Sequence, residues 1–171
     1  SLMNDYIQKI CEAVEYDPNA YGYGSIPDEL KTNENILKSL SRGFGRYIIM
    51  DSEVNIPDFN MDLIEKYKDD RYEYMIDKYC FKGIPYDSLS EDLKTKYKNN
   101  LIAKCNSDPG KYLQITNESS IKNDPEVIKS VADGYVYQIK WNGNSSLPPQ
   151  ITESENFKIN YKEINNKLLA S

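Results

Sequence analysis

The chain has 171 residues, 28% of them charged and 12% aromatic, with a formal net charge of −6 and a mean hydropathy of −0.70. That balance suits one globular domain, 1–171, able to bury roughly two-thirds of its unfolded surface, and it excludes both a disordered chain and one built of membrane spans. Histidine is absent, which removes the commonest metal ligand and the commonest general base together.

Tyr6, Ile7, Ile10, Cys11 and Val14 share one helical stripe, so a helix is expected over 4–16, ended by Asp17-Pro18. A turn follows at Tyr21-Gly22-Tyr23-Gly24, and Ser25 to Leu30 reads as a short helix start with Ser25 as cap. Asn33 should cap a second helix, Glu34 to about Arg42, with Ile36, Leu37 and Leu40 inside and Gly43 closing it. Starts of similar grammar recur at Asn55, Ser88 and Thr116. With Ser25 they lie 30, 33 and 28 residues apart, the size of a two-helix unit. Arg71 to Cys80 forms a further amphipathic set. Leu93, Tyr97, Leu101 and Cys105 continue the third start as a helix, and Asp124-Pro125-Glu126 is a strong cap ahead of Val127, Ile128 and Val131. Tyr135, Tyr137, Ile139 and Trp141 alternate with Val136, Gln138 and Lys140, which suggests one short strand near 135–141; the aligned segment Phe44 to Met50 alternates poorly, so a short extended segment and a helix are both open there. Asn142 to Pro149 reads as a loop, and Asn160 to Glu163 as a capping box opening a last helix.

Residues 17–57 can be laid on 108–148 at an offset of 91 without a gap, and 9 of the 41 aligned pairs are identical: Asp17/Asp108, Pro18/Pro109, Tyr21/Tyr112, Lys31/Lys122, Lys38/Lys129, Ser39/Ser130, Gly43/Gly134, Ile48/Ile139 and Pro57/Pro148. A small unit that cannot bury its apolar face alone stacks against a neighbour of the same build. The fold expected is therefore mostly α, a compact helical-repeat array of about four two-helix units. At Lys122 to Tyr135, and more loosely at Leu30 to Tyr47, the chain resembles short helical repeats of uncharacterised bacterial and protist proteins. Their units run Asp-x-Glu, two branched apolars, a small residue and a glycine-bearing turn. The resemblance covers about half the chain. It implies a helical-repeat fold and carries no activity, cofactor or site.

Cys11, Cys80 and Cys105 are odd in number, widely spaced and on apolar stripes, so they read as buried hydrophobes. Neither a cysteine nucleophile nor a metal site is expected, and no cofactor. The acid pairs Asp28/Glu29, Asp69/Asp70 and Glu91/Asp92 fall mostly in first helical turns, where they complement the helix dipole. Lysines around Tyr97 are offset by neighbouring acids, so nucleic acid is disfavoured as a partner, and no segment addresses a membrane. The aromatics of the two aligned segments, Tyr21, Tyr23, Phe44 and Tyr47 with Tyr135, Tyr137 and Trp141, are the candidate binding residues. Tyr and Trp join large contact area to a polar tip. The function expected is a non-enzymatic, cytoplasmic protein-interaction module. The alternatives are a small acidic inhibitor of phage or mobile-element origin that blocks a nucleic-acid-binding protein, and an enzyme working with carboxylates alone.

Overall fold

A computed structural model describes residues 1–19, 23–51, 61–62, 65–116, 118–141, 165–167 and 170. The chain is mostly α-helical, and the described residues contain no strand. They divide into two compact units, Ser1–Lys78 and Tyr79–Ser171. Tyr21, the start at Asn55, the loop over Asn142–Pro149 and the capping box at Asn160 lie outside the described residues.

In the first unit, α1 runs Leu2–Tyr16, opened by the Ser1 hydroxyl accepting from the Asn4 N–H and ended at Asp17. Two 3-10 turns, Tyr23–Ser25 and Asp28–Leu30, lead to α2, Glu34–Ile49. Asn33 caps α2, its side-chain oxygen accepting from the Ile36 N–H at 3.2 Å, so an otherwise orphan amide of the first turn is satisfied. Cys11, Val14, Ile26, Leu30, Ile36, Leu40 and Phe44 form the core between α1 and α2. Full burial of a side chain such as Leu40 or Phe44 contributes about 1.5–3 kcal/mol. The opposite face of α2 meets α3, Lys68–Asp77. There Arg71 donates to the buried Ser41 hydroxyl at 2.9 Å, and Arg42 forks onto Asp70 through Nε at 2.7 Å and Nη2 at 2.9 Å.

Gly43 does not close α2, which continues through it for six more residues to Ile49. Its role is close approach. A Cβ there would stand 2.7 Å from the Val14 carbonyl oxygen and 3.0 Å from that of Glu15, so the crossing of α1 and α2 has no space for a methyl group.

The second unit holds α4, Glu91–Cys105, and α5, Pro125–Trp141, joined through 3-10 turns at Pro109–Gln114 and Ser120–Asn123. Ser90 caps α4, accepting from the Leu93 N–H. Asp124 caps α5, accepting from the N–H groups of Glu126 at 2.9 Å and Val127 at 3.3 Å. Leu93, Tyr97, Leu101 and Cys105 line the inner face of α4 at helical spacing. Tyr97 packs edge-on to Phe81 with ring centroids 4.9 Å apart, and the buried Tyr112 hydroxyl donates to the Lys122 carbonyl at 2.7 Å.

Of the two readings open for 135–141, a short strand or a helix, the structure has the helix. Tyr135 is buried while Tyr137 and Trp141 are exposed, a split that two-residue alternation would not produce. The buried set Val127, Val131, Gly134 and Tyr135 instead follows the three-and-four spacing of a helix face. Gly134 repeats the role of Gly43 at the offset of 91: a Cβ on it would lie 2.1 Å from the Cys105 carbonyl oxygen, where Cys105 is itself 91 residues after Val14. The caps Asn33 and Asp124 and the starts of α2 and α5 are also 91 apart. By the same offset α4 answers to α1, so the start at Ser88 opens the partner of α1 rather than another copy of the start at Ser25.

Candidate functional site

The aromatics singled out by sequence separate into different environments. Phe44 and Tyr135, equivalent across the offset, are both core residues and offer no surface to a partner. Tyr47 is half-buried, and its hydroxyl donates to Asp17 Oδ1 at 2.8 Å, tying the end of α2 to the end of α1. Tyr21 and the side chain of Tyr23 lie outside the described residues. Tyr137 and Trp141 are exposed, one turn apart near the end of α5. The structure therefore does not gather the seven into one patch.

The three acid pairs have structural partners. Asp28 pairs with Lys31 at 3.0 Å, Asp70 with Arg42, and Glu91 with Lys94 at 3.6 Å. All three cysteines are free and buried, and burial pushes the Cys105 thiol up to about 12, far from a nucleophilic thiolate. The described residues contain no group of three or more acid or cysteine side chains placed to hold a metal ion.

The structure does show a cleft in each unit that the sequence reading missed. In the first unit a cleft of about 710 Å³ opens between α1 and α2. Asn4, Gln8, Glu12 and Glu15 form one wall, and Asn35, Lys38, Ser39 and Arg42 the other. In the second, a smaller cleft of about 300 Å³ opens between α4 and α5, lined by Ile102, Asn106, Glu126, Lys129, Ser130 and Asp133. Subtracting 91 from those six gives Cys11, Glu15, Asn35, Lys38, Ser39 and Arg42, every one of them a lining residue of the first cleft. Lysine and serine are unchanged at two of the six positions, and the others differ in charge or size.

The local chemistry explains part of this pattern. Ser130 lies where α5 crosses α4, and its hydroxyl bonds the Ile102 carbonyl and the Asn106 side chain. A small hydroxyl residue at that crossing therefore has a packing role. No such packing contact accounts for the lysines: Lys129 is exposed, and Lys38 is half-buried and pairs with Glu34 one turn away on its own helix. Behind the clefts the ion pairs reverse sign. Arg42 pairs with Asp70 in the first unit, whereas its equivalent Asp133 pairs with Lys167 in the second. The signal available in the sequence was the pair of adjacent identities Lys38/Lys129 and Ser39/Ser130, polar residues in an alignment otherwise held by caps, glycines and core positions.

Charge is divided unequally between the units. Residues 1–78 carry 9 basic and 16 acidic groups, a net −7, and residues 79–171 carry 12 and 11. No helix among the described residues is long and apolar enough to cross a membrane. Comparison with family models, with curated proteins and with solved structures finds no match to this chain.

Proposed function

We propose that the chain is a non-enzymatic protein-interaction module in which two copies of one helix-pair unit each present a cleft to a protein partner. The observation that carries this reading is the register of the clefts: all six residues lining the second correspond, at an offset of 91, to six of the eleven lining the first. A duplication held by packing alone keeps core residues, caps and close-approach glycines. It gives no reason for Lys38 and Lys129, on the cleft linings, to be the same. Two clefts in register on one chain also permit two-point binding, in which the second contact forms at a high effective concentration. Free buried thiols suit a reducing compartment such as the cytoplasm.

A second reading, the acidic inhibitor of a nucleic-acid-binding protein, is favoured by the net −7 of the first unit, which would oppose phosphate backbones and attract a basic channel. The test is capture from a lysate of the source cell with the wild-type chain and with Lys38→Glu/Lys129→Glu. The module reading expects a partner that the wild type retains and the variant loses. An unchanged partner set would count against the clefts as binding surfaces. Loss of that partner to added DNA would favour the inhibitor.

A further inference from the structure

Resting on the reading of the clefts as binding surfaces, we infer that the first-unit cleft takes a basic segment of its partner, an extended peptide carrying arginine or lysine side chains. The basic residues at the cleft already have partners. Arg42 is doubly hydrogen-bonded to Asp70 on α3, which together with the nearby Glu15 raises its pKa. Lys38 has Glu34 one turn away at 3.5 Å. The acids opposite are not compensated in this way. Among the described residues, Glu15 makes no side-chain hydrogen bond or ion pair, and Glu12 accepts only from the Gln8 amide at 3.3 Å. Arg46, on the recess that both glutamates also line, donates to the Tyr16 carbonyl and offsets part of that charge; what is left for an occupant is negative.

The same two glutamates also line a second recess, of about 380 Å³, with Tyr16, Arg46 and Tyr74, so the cleft continues toward the end of α1 over an aromatic wall. The Tyr16 ring already carries one guanidinium, that of Arg46, 5.2 Å from its centroid. From Asn4 to Tyr16 the helix rises about 18 Å, a span covered by about six residues of extended peptide. The second cleft is a different binder. The positions of Glu12 and Glu15 are Ala103 and Asn106 there, and its acids, Glu126 and Asp133, stand on the other wall.

The test is fluorescence anisotropy with the full chain and a labelled peptide of about six residues alternating arginine and alanine, against glutamate–alanine and glutamine–alanine peptides of equal length. The arginine peptide is expected to bind, with affinity that falls as salt rises, and the other two are not. Glu12→Gln/Glu15→Gln should weaken binding about tenfold, the size of two partly exposed ion pairs. Glu29→Gln/Glu118→Gln changes the net charge equally at exposed positions outside the cleft and should leave binding unchanged. Equal loss in both double variants, equal binding of the glutamate peptide, or no binding of the arginine peptide would each overturn the inference. The module reading is judged separately, by whether Lys38→Glu/Lys129→Glu loses a captured partner. Circular dichroism of both double variants establishes that the helices are intact.

Discussion

Replacing Gly134 by alanine inverts the usual effect of that substitution. In an ordinary helix interior Gly→Ala stabilises by about 1 kcal/mol, because alanine loses less backbone freedom on folding. At Gly134 the added Cβ would sit 2.1 Å from the Cys105 carbonyl oxygen and 3.1 Å from Pro109 Cβ, in a helix crossing with no flexible side chain to yield. Restoring ordinary contact at about 3.4 Å requires α4 and α5 to part by about 1.3 Å. Overpacking of this kind costs about 1–3 kcal/mol, and backbone against backbone belongs at the upper end. Less the propensity gain, Gly134→Ala should destabilise the second unit by about 2 kcal/mol, lowering Tm by about 8–16 °C where that unit unfolds by itself and by about 4–8 °C where the chain unfolds as one. Gly24 has nothing within 4 Å of a Cβ, so Gly24→Ala should be neutral or stabilise by up to about 1 kcal/mol. Urea unfolding followed by circular dichroism measures both. If the units unfold separately, the loss belongs to one transition only. A Gly134→Ala chain as stable as wild type, or more stable, would refute the packing of α5 on α4.

Asp124→Ala should cost about 1–2 kcal/mol at pH 7, because the side chain caps α5 and also pairs with Lys98 at 3.0 Å. Burial draws the Asp124 pKa upward, but the Lys98 hydrogen bond and the N–H groups of Val127 and Glu126 outweigh it and leave it below the ordinary carboxylate value. A depressed folded-state pKa stabilises the fold above the unfolded value near 3.9 and ceases to do so as pH falls through the folded one. Denaturation from pH 6 downward should therefore show the gap between wild type and Asp124→Ala closing. In alkali, ultraviolet titration should leave Tyr135, pushed up to about 12 by burial, and Tyr97, raised further for the same cause, protonated well above the ordinary phenol value of about 10. Raised folded pKa values stabilise below about pH 10, so unfolding should become easier above it; Tyr135 ionising at the ordinary phenol value would contradict its burial. A thiol reagent at pH 8 should leave Cys80 and Cys105 unlabelled in the native chain and label all three cysteines in denaturant. Rapid native labelling of Cys80 or Cys105 would contradict their enclosure.

Those parts of the fold that depend on one residue and its immediate neighbours were legible in the sequence. Asn33 and Asp124 signal helix starts because a short side chain reaching the third amide is a local event, and Asp17-Pro18 signals a stop for the same reason. What depends on a second element was not legible. An isolated glycine ends a helix or admits a crossing neighbour, and only the presence of α1 behind Gly43 decides between them. Aromatics in the 135–141 stretch satisfy a strand pattern as readily as a helix face, and packing on α4 selected the helix. The clefts escaped notice because their residues are polar, and a polar helix face usually has no task beyond solubility. Their meaning emerges only when two helices bring Glu12 and Glu15 opposite Lys38 and Arg42.

The central claim, that the equivalent clefts of the two units are where this protein meets its partner, is tested most directly by site-specific photocrosslinking in a lysate of the source cell. A photoreactive residue is placed in turn at Lys38 and Lys129 within the clefts, and at the exposed Lys9 and Lys140 outside their linings. The account predicts that one protein is joined at both cleft positions and at neither control. Adducts formed equally at all four, or only at Lys9 and Lys140, would contradict it.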